Sequence, residues 1–239
     1  MRYPVRSVAA GDAGGKDEPT GEEESLNDLV AKQRCEQWKD DLLRTSPMVR
    51  FMVKHLALLD CNPVSPRAHA QAPAAAEEDA PPNLLIAPCP PNIAGGFSPS
   101  EPGKRASEAG ILLCANRIFS KAHLEDTLAH EMIHWWDHCR FKVDWNNLQH
   151  HACSEIRAAS LSGDCRWMRE VNRRHYSLIK QHQVSAAMAD FGCFECAKRR
   201  AILSVRANPA CPDEAAAVRA VSEVWESCFY DTRPFDEIY

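Results

Sequence analysis

The segment His130-Glu131-Met132-Ile133-His134 constrains the fold more than any other part of the sequence. It lies inside the stretch 121–141, whose apolar spacing predicts a helix and which no proline interrupts. Residues four positions apart on a helix share one face and are separated by a rise of about 6 Å. Both imidazoles can therefore reach one zinc ion with Zn–N bonds of about 2.0–2.1 Å.

Glu131 follows the first of these histidines and suggests a catalytic role. It lies about 100° round the helix from His130, close enough to contact a zinc-bound water without ligating the metal. Zinc lowers the pKa of bound water to about 7, so the expected role of Glu131 is that of general base. The alternative is a pair of histidines that hydrogen-bond within a partly buried helix and bind no metal.

A catalytic zinc site needs a third protein ligand and one open position. His138 is disfavoured, because on a continuous helix it is about 12 Å in rise from His130. Glu155 is the better candidate, since it lies in a second helical stretch that follows a short turn at 144–147. Its spacing resembles the gluzincin arrangement, in which a glutamate of the following helix completes the site. An ordinary acidic residue on a helix surface is the alternative.

Several nearby residues have more than one possible role. His150 and His151 precede Glu155 and are candidates for ligands, for contacts to a ligand or for oxyanion donors. Asp137 is placed to accept a hydrogen bond from a ligand imidazole and to fix its tautomer. Cys193-Phe-Glu-Cys196 is a single CxxC motif, which is weak evidence for a metal or redox site.

The pattern predicts a mainly helical α+β fold, with a small sheet or hairpin before the helix of the site. Residues 1–22 are predicted to be disordered, and 23–239 to form one metalloprotease domain. That domain contains a Pro/Ala-rich loop at 62–82. Extended pieces are predicted at 83–87 and 110–115, helices at 24–45, 47–59, 121–141, 147–162, 165–182, 196–206 and 213–228, and a docked tail at 231–239.

Composition narrows the functional classes. The formal net charge of -5 gives no overall drive toward nucleic acid. Eleven cysteines favour an oxidising compartment over the alternative of reduced, buried thiols. No stretch approaches the roughly 18 continuous apolar residues of a membrane-spanning helix, so any membrane attachment is expected to be peripheral.

Three long segments resemble the mitochondrial inner membrane metalloproteases involved in ATP synthase assembly. Weaker likeness extends over 34–61, 94–99 and 111–117. The three segments read HEMIHWWDHCRFKVDWNNLQHHACSEIRAASLSGDC (130–165), KRRAILSVRANPAC (198–211) and VSEVWESCFYDTRPFDEIY (221–239).

The resemblance implies a zincin-like domain that binds Zn²⁺ and is peripheral on the intermembrane-space face of the inner membrane. Its substrate would be the precursor of the ATP synthase proton-channel subunit, which it would also help to assemble alongside other assembly factors. His130 and His134 match the family's metal ligands and Glu131 matches its catalytic glutamate. Two rivals are an assembly chaperone with little or no protease activity and a nuclear or cytosolic binding protein.

The sequence departs from the family in two segments. About eleven extra residues, 184–194, follow the His182-Gln183 pair and contain Cys193, which would be the odd thiol. The segment is either a real loop or an artefact of the gene sequence. The Pro/Ala-rich stretch at 63–82 is a second departure and is expected only to lengthen a surface loop.

Overall fold

Helices form most of the structure. The computed structural model describes residues 25–64, 83–90, 93–101, 103–165 and 186–236. The helices in these ranges are Leu26–Thr45 (α1), Pro47–Ala57 (α2), Lys121–Arg140 (α3), Leu148–Leu161 (α4), Ala186–Ala207 (α5) and Glu214–Phe229 (α6). The strands are Leu84–Ala87 (β1), Gly95–Ser98 (β2) and Gly110–Cys114 (β3). No helix of the described ranges is both long and apolar enough to cross a bilayer.

Side-chain caps determine where α3 and α4 begin. Ser120 Oγ accepts a hydrogen bond from the backbone N–H of His123. Asn147 Oδ1 accepts hydrogen bonds from the backbone N–H groups of Gln149 and His150. These bonds satisfy donors that have no partner in the first turn of a helix. Each cap therefore fixes the start of a helix that carries candidate ligands.

The sheet has three strands in the order β1-β3-β2, and both β2 and β3 lie against α3. β1 pairs with β3 in parallel, and β2 pairs with β3 antiparallel. Gly95 permits the close approach of β2 to α3, because a Cβ at this position would lie 2.7 Å from Thr127 Cγ2. The same Cβ would lie 3.5 Å from Glu131 Oε1, so β2 borders the segment that contains the two histidines.

Two clusters of buried apolar side chains hold these elements together. The first lies between α1, α2, the sheet and α3, and includes Trp135 and Trp136. The second lies between α4, α5 and α6, where Trp225 stacks on Phe229 and meets the ring of Phe194 edge-on. Because α3 also packs on α4, the inner faces of these two helices meet between the two clusters.

Four disulfides link elements that are distant in the sequence. Eight of the eleven cysteines form them, which confirms that most cysteines outside 184–194 are paired. Two cross-link the first cluster and the sheet, Cys61–Cys139 and Cys89–Cys114. The other two cross-link the second cluster, Cys153–Cys228 and Cys165–Cys196.

The structure confirms the mainly helical α+β fold with a small sheet before α3. A hairpin of the two predicted strands, 83–87 and 110–115, is wrong, because β1 and β3 pair in parallel. The strand β2 lies between them in the sequence and at the other side of β3 in the sheet. β2 was not predicted, since Gly95 and Gly96 are typical of a turn until their packing against a helix is known.

Helix α5 begins at Ala186, ten residues before the predicted 196, so the helix includes most of the 184–194 segment. The resemblance to the family marks that segment as extra residues, and within it Phe194 packs against Trp225 and extends the second cluster. The predicted disordered segment 1–22, most of the loop 62–82 and all of the predicted helix 165–182 except Cys165 lie outside the described residues. The single domain at 23–239 therefore stays a prediction.

Candidate metal centre

Three buried side chains from two helices converge between α3 and α4. His130 and His134 project from successive turns of α3, and Glu155 projects from α4. His130 Nε2 lies 3.6 Å from Glu155 Oε2, and His134 Nε2 lies 3.5 Å from Glu155 Oε1. One donor atom from each residue lies within 4.8 Å of the other two.

The donor set fits a tetrahedral metal ion. Two ligand atoms that bind such an ion at about 2.0–2.1 Å are about 3.3–3.4 Å apart. The two nitrogen–oxygen distances of 3.5 and 3.6 Å exceed this separation only slightly. Both imidazoles direct Nε2 toward the carboxylate and Nδ1 away from it, the orientation in which the second nitrogen is held by an outer partner.

The outer partner of His130 is a carboxylate from the loop after α4. His130 Nδ1 lies 3.2 Å from Asp164 Oδ2, and both residues are buried. Arg200 of α5 donates a hydrogen bond of 2.7 Å from Nη2 to the same oxygen. Asp164 therefore joins a candidate ligand on α3 to a cation on α5.

The outer partner of His134 is a serine, not the carboxylate that the sequence suggests. His134 Nδ1 lies 2.8 Å from Ser154 Oγ, which in turn donates a 2.9 Å hydrogen bond to Asp137 Oδ2. The direct bond expected from Asp137 is wrong, because Ser154 lies between the two groups. The chain of donors still selects one tautomer: Ser154 Oγ accepts a hydrogen bond from the Nδ1–H group of His134, which leaves the lone pair of His134 Nε2 available.

A buried arginine continues this network to the end of the described chain. Arg157 Nε donates to Asp137 Oδ1 at 3.1 Å, and Nη1 lies 2.7 Å from Asp231 Oδ1. The guanidinium also donates to the backbone oxygens of Asp231 and Arg233. The docked tail is thereby confirmed over the residues that the structure describes, and Arg157 connects it to α3.

The electrostatic environment differs between the two histidines. Burial lowers the pKa of His134 to about 3 despite the nearby Glu155 carboxylate, so its imidazole is neutral. Burial also opposes the charged form of His130, but its contacts with Asp164 and Glu155 raise its pKa to about 10. Burial opposes ionisation of Glu155 too, and the surrounding histidines hold its pKa well below the usual range. A metal ion that binds here must displace one proton from His130.

Glu131 is buried beside this cluster but is not part of the donor set. Burial raises its pKa to about 7, with His130 opposing and Glu155 reinforcing the shift. A carboxylate with a pKa near neutrality is suited to accept a proton and to return it.

The remaining histidines have distinct positions. His151 Nε2 lies 3.3 Å from Glu155 Oε1, and its Nδ1 lies 2.8 Å from Asn208 Nδ2. His150 accepts a hydrogen bond from the backbone N–H of Asp144. His138 Nε2 lies 3.0 Å from Ser100 Oγ and lies outside the three-residue donor set of the described chain.

Sequence reasoning missed several polar residues around the ligands. They are Ser154, Arg157, Asp164, Arg200 and Ser204. None belongs to a motif of recognisable spacing, and their roles depend on contacts between different elements. The CxxC motif makes no internal disulfide, because Cys196 pairs with Cys165.

A buried His-His-Glu donor set with a second glutamate beside it is typical of metallopeptidases. Comparison with known proteins places the chain in that class. A profile described as the Peptidase M76 family matches residues 33–236. The chain belongs to this metallopeptidase family, which confirms the family suggested by its sequence segments.

Relatives of high identity carry the name "Mitochondrial inner membrane protease ATP23". The protein of Malassezia globosa is 64% identical over 236 residues, which cover 99% of this chain and 88% of the relative. That of Mycosarcoma maydis is 61% identical over 91% of this chain and 96% of its own length. That of Aspergillus clavatus is 48% identical over 89% of this chain and 76% of its own length. No solved structure matches significantly.

Proposed function

We propose that this protein is a zinc-dependent metalloendopeptidase of the HExxH type with a zincin-like fold. The observation that carries the proposal is the convergence of His130, His134 and Glu155 within 4.8 Å. Two imidazoles and one carboxylate, with a further position left for water or substrate, form a donor set that catalytic zinc commonly uses. Glu131 lies beside this set as the general base.

The residues around the ion divide the chemistry between them. When bound, zinc would polarise the substrate carbonyl and lower the pKa of the attacking water toward about 7. Glu131 takes the proton from that water and passes it to the leaving amine nitrogen. Ser154 holds His134 by a hydrogen bond at Nδ1, and the Asp164 carboxylate lies beside His130 Nδ1, so that each Nε2 stays directed toward the ion.

We further propose that the substrate lies along β2. In the part of the sheet that the structure describes, β2 pairs with β3 alone and borders Glu131 at Gly95. An extended peptide can add to such an edge through backbone hydrogen bonds. The half-buried rings of Phe97 and Trp145 lie 6.4 and 6.0 Å from the His134 ring, which favours an apolar substrate side chain at this end.

The proposed substrate is the precursor of the ATP synthase proton-channel subunit, and the proposed location is the intermembrane-space face of the mitochondrial inner membrane. The relatives' names, which specify a mitochondrial inner membrane protease, support the location. Four disulfides are in keeping with an oxidising compartment. Membrane association would be peripheral, and the charge of -5 gives no reason to expect nucleic acid as a partner.

Assistance in assembly of the same subunit, together with other assembly factors, is the second part of the proposed function. The exposed apolar residues Leu203, Val218 and Tyr230 lie on or next to α5 and α6 and are not part of the donor set, which supports such a binding role. A binding role of this kind would not need Glu131. The alternative is a chaperone or binding protein with little or no protease activity. It predicts that the wild-type protein supports assembly but does not cleave the precursor.

Glu131→Gln separates these possibilities, because it keeps the size of the side chain and removes its basicity. We expect zinc content to be unchanged and cleavage of a peptide from the precursor's amino-terminal extension to fall by about 10²–10⁴. In cells that lack the native protein, the variant should leave the precursor uncut and still support ATP synthase assembly. Full cleavage by the variant would refute the assigned base. A folded variant that supports no assembly would refute the separate assembly role.

A further inference from the structure

Helix α5 carries polar side chains toward the metal centre at a regular spacing. Cys196, Arg200, Ser204 and Asn208 follow one another at intervals of four residues, the last of them immediately after the helix. Residues at this spacing form one inclined ridge on a helix surface. All four contact residues that hold or adjoin the candidate ligands, and the donor set found among the described residues includes none from α5.

Ser204 contacts a candidate ligand directly. Its hydroxyl donates a hydrogen bond of 2.5 Å to Glu155 Oε1 and lies 3.4 Å from His151 Nε2. The two carboxylate oxygens of Glu155 turn together about its broad terminal torsion, so a bond to one oxygen restricts the direction of the other. That other oxygen, Oε2, is the one that lies 3.6 Å from His130 Nε2.

Arg200 acts on the opposite side of the centre, through Asp164. Its Nη2 donates to Asp164 Oδ2, and the same oxygen lies 3.2 Å from His130 Nδ1. Asp164 is buried, and a buried carboxylate is costly unless a cation pairs with it. The guanidinium therefore holds the carboxylate that orients the imidazole.

The Cys165–Cys196 disulfide links the same two segments that the Asp164–Arg200 pair connects. Cys165 is next to Asp164, and Cys196 lies one helical turn before Arg200. The covalent link thus fixes the register between the loop after α4 and the α5 ridge. At the other end of the ridge, Asn208 Nδ2 lies 2.8 Å from His151 Nδ1 and donates to the backbone oxygen of Trp145.

We propose that Arg200 and Ser204 are positioning residues that set the zinc affinity of the centre, so that α5 determines how well the ligands of α3 and α4 hold the ion. This inference rests on the proposed zinc site and goes beyond it. Replacement of outer partners of metal ligands commonly lowers affinity by about 10–100-fold. Ser204→Ala and Arg200→Gln should each raise the zinc dissociation constant within that range.

The test is a competition titration of the oxidised full-length chain against a chromophoric zinc chelator. Matched controls are Ser227→Ala and Arg206→Gln. Among the described residues, Ser227 bonds the backbone oxygen of Val224 and the neighbouring Cys228 sulfur, and Arg206 is an exposed α5 residue paired with Glu214. Both controls should keep the wild-type dissociation constant. The conservative variants Ser204→Thr and Arg200→Lys should recover most of the affinity, because they retain the hydroxyl and the charge.

Two further readouts distinguish positioning from a general loss of stability. The visible spectrum of the Co²⁺-substituted protein should change in Ser204→Ala and remain unchanged in Ser227→Ala. The loss of zinc affinity in the variants should not be matched by a corresponding fall in the melting temperature of the metal-free protein. Wild-type zinc affinity in both Ser204→Ala and Arg200→Gln would overturn the inference while leaving the zinc site intact. A wild-type protein that binds no zinc would instead refute the proposed function.

Discussion

Replacement of Arg157 by methionine should destabilise the protein strongly. The Arg157 side chain is only 1% exposed and pairs with Asp137 and Asp231, whose side chains are 3% and 14% exposed. Its guanidinium also donates to the backbone oxygens of Asp231 and Arg233 in the tail. Methionine fills much of the same volume but leaves the Asp137 carboxylate buried without its cation. Loss of one partner from a buried ion pair costs about 3–5 kcal/mol.

The expected cost converts into a large thermal shift. For a protein of this size, 1 kcal/mol corresponds to about 2–4 °C in melting temperature, so Arg157→Met should lower it by about 6–20 °C. Calorimetry on zinc-free, oxidised protein is the appropriate assay, because bound metal would add its own stabilisation. Arg206→Met is the matched control. Arg206 forms an exposed pair with Glu214, and such pairs contribute only about 0–1 kcal/mol.

A double variant tests the physical reason for the effect. If the cost arises from the unpaired Asp137 carboxylate, Asp137→Asn combined with Arg157→Met should be less destabilising than the sum of the two single changes. Additive effects would show that the pair is not the cause. An Arg157→Met protein that melts within 2–3 °C of the Arg206→Met control, about 1 kcal/mol, would refute the assignment of Arg157 as the link between α3 and the tail.

Three further predictions concern the metal and the cysteines. Glu155→Ala should weaken zinc binding by more than about 100-fold, which is a larger loss than replacement of an outer partner causes, whereas His138→Ala should change it little. Equilibrium dialysis measures both affinities. A larger loss in His138→Ala than in Glu155→Ala would refute the ligand assignment. Since the pKa of His130 is raised to about 10 in the metal-free protein, zinc affinity should rise with pH by about tenfold per unit near neutrality, with release of about one proton per ion. Calorimetric titration in buffers of different ionisation enthalpy measures this release, and none at pH 7 would contradict it. Thiol titration of unfolded, unreduced protein should find at most three thiols, because eight of the eleven cysteines form disulfides; a count near eleven would contradict the disulfide pattern.

Local sequence information was sufficient to bring together the candidate donor set. The four-residue spacing of His130 and His134 defines one face of a helix, whatever that helix packs against. Helix geometry also disfavoured His138, which makes contacts elsewhere in the structure. Glu155 followed from a short turn and a second helix, because helices joined by a short loop pack as neighbours and bring their inner faces together.

Other features needed the packing of distant elements. β2 contains two glycines and has no apolar alternation of its own, and it is a strand because β3 and α3 provide partners for it. The helical state of residues 186–195 likewise depends in part on the contact between Phe194 and Trp225.

The sequence by itself determined the two helices, the pair His130 and His134 and the placement of Glu131 beside them, and it favoured Glu155 as the third ligand through a spacing that resembles the gluzincin arrangement. Only the tertiary structure decided which groups hold those ligands: Ser154 in place of Asp137, Asp164 with Arg200, and Ser204 on Glu155. The physical reason is that helical periodicity depends on residues within a few positions of one another. The hydrogen bond from Ser204 of α5 to the Glu155 carboxylate of α4 depends instead on how the two helices pack. A local sequence pattern does not predict the distance between residues on different helices.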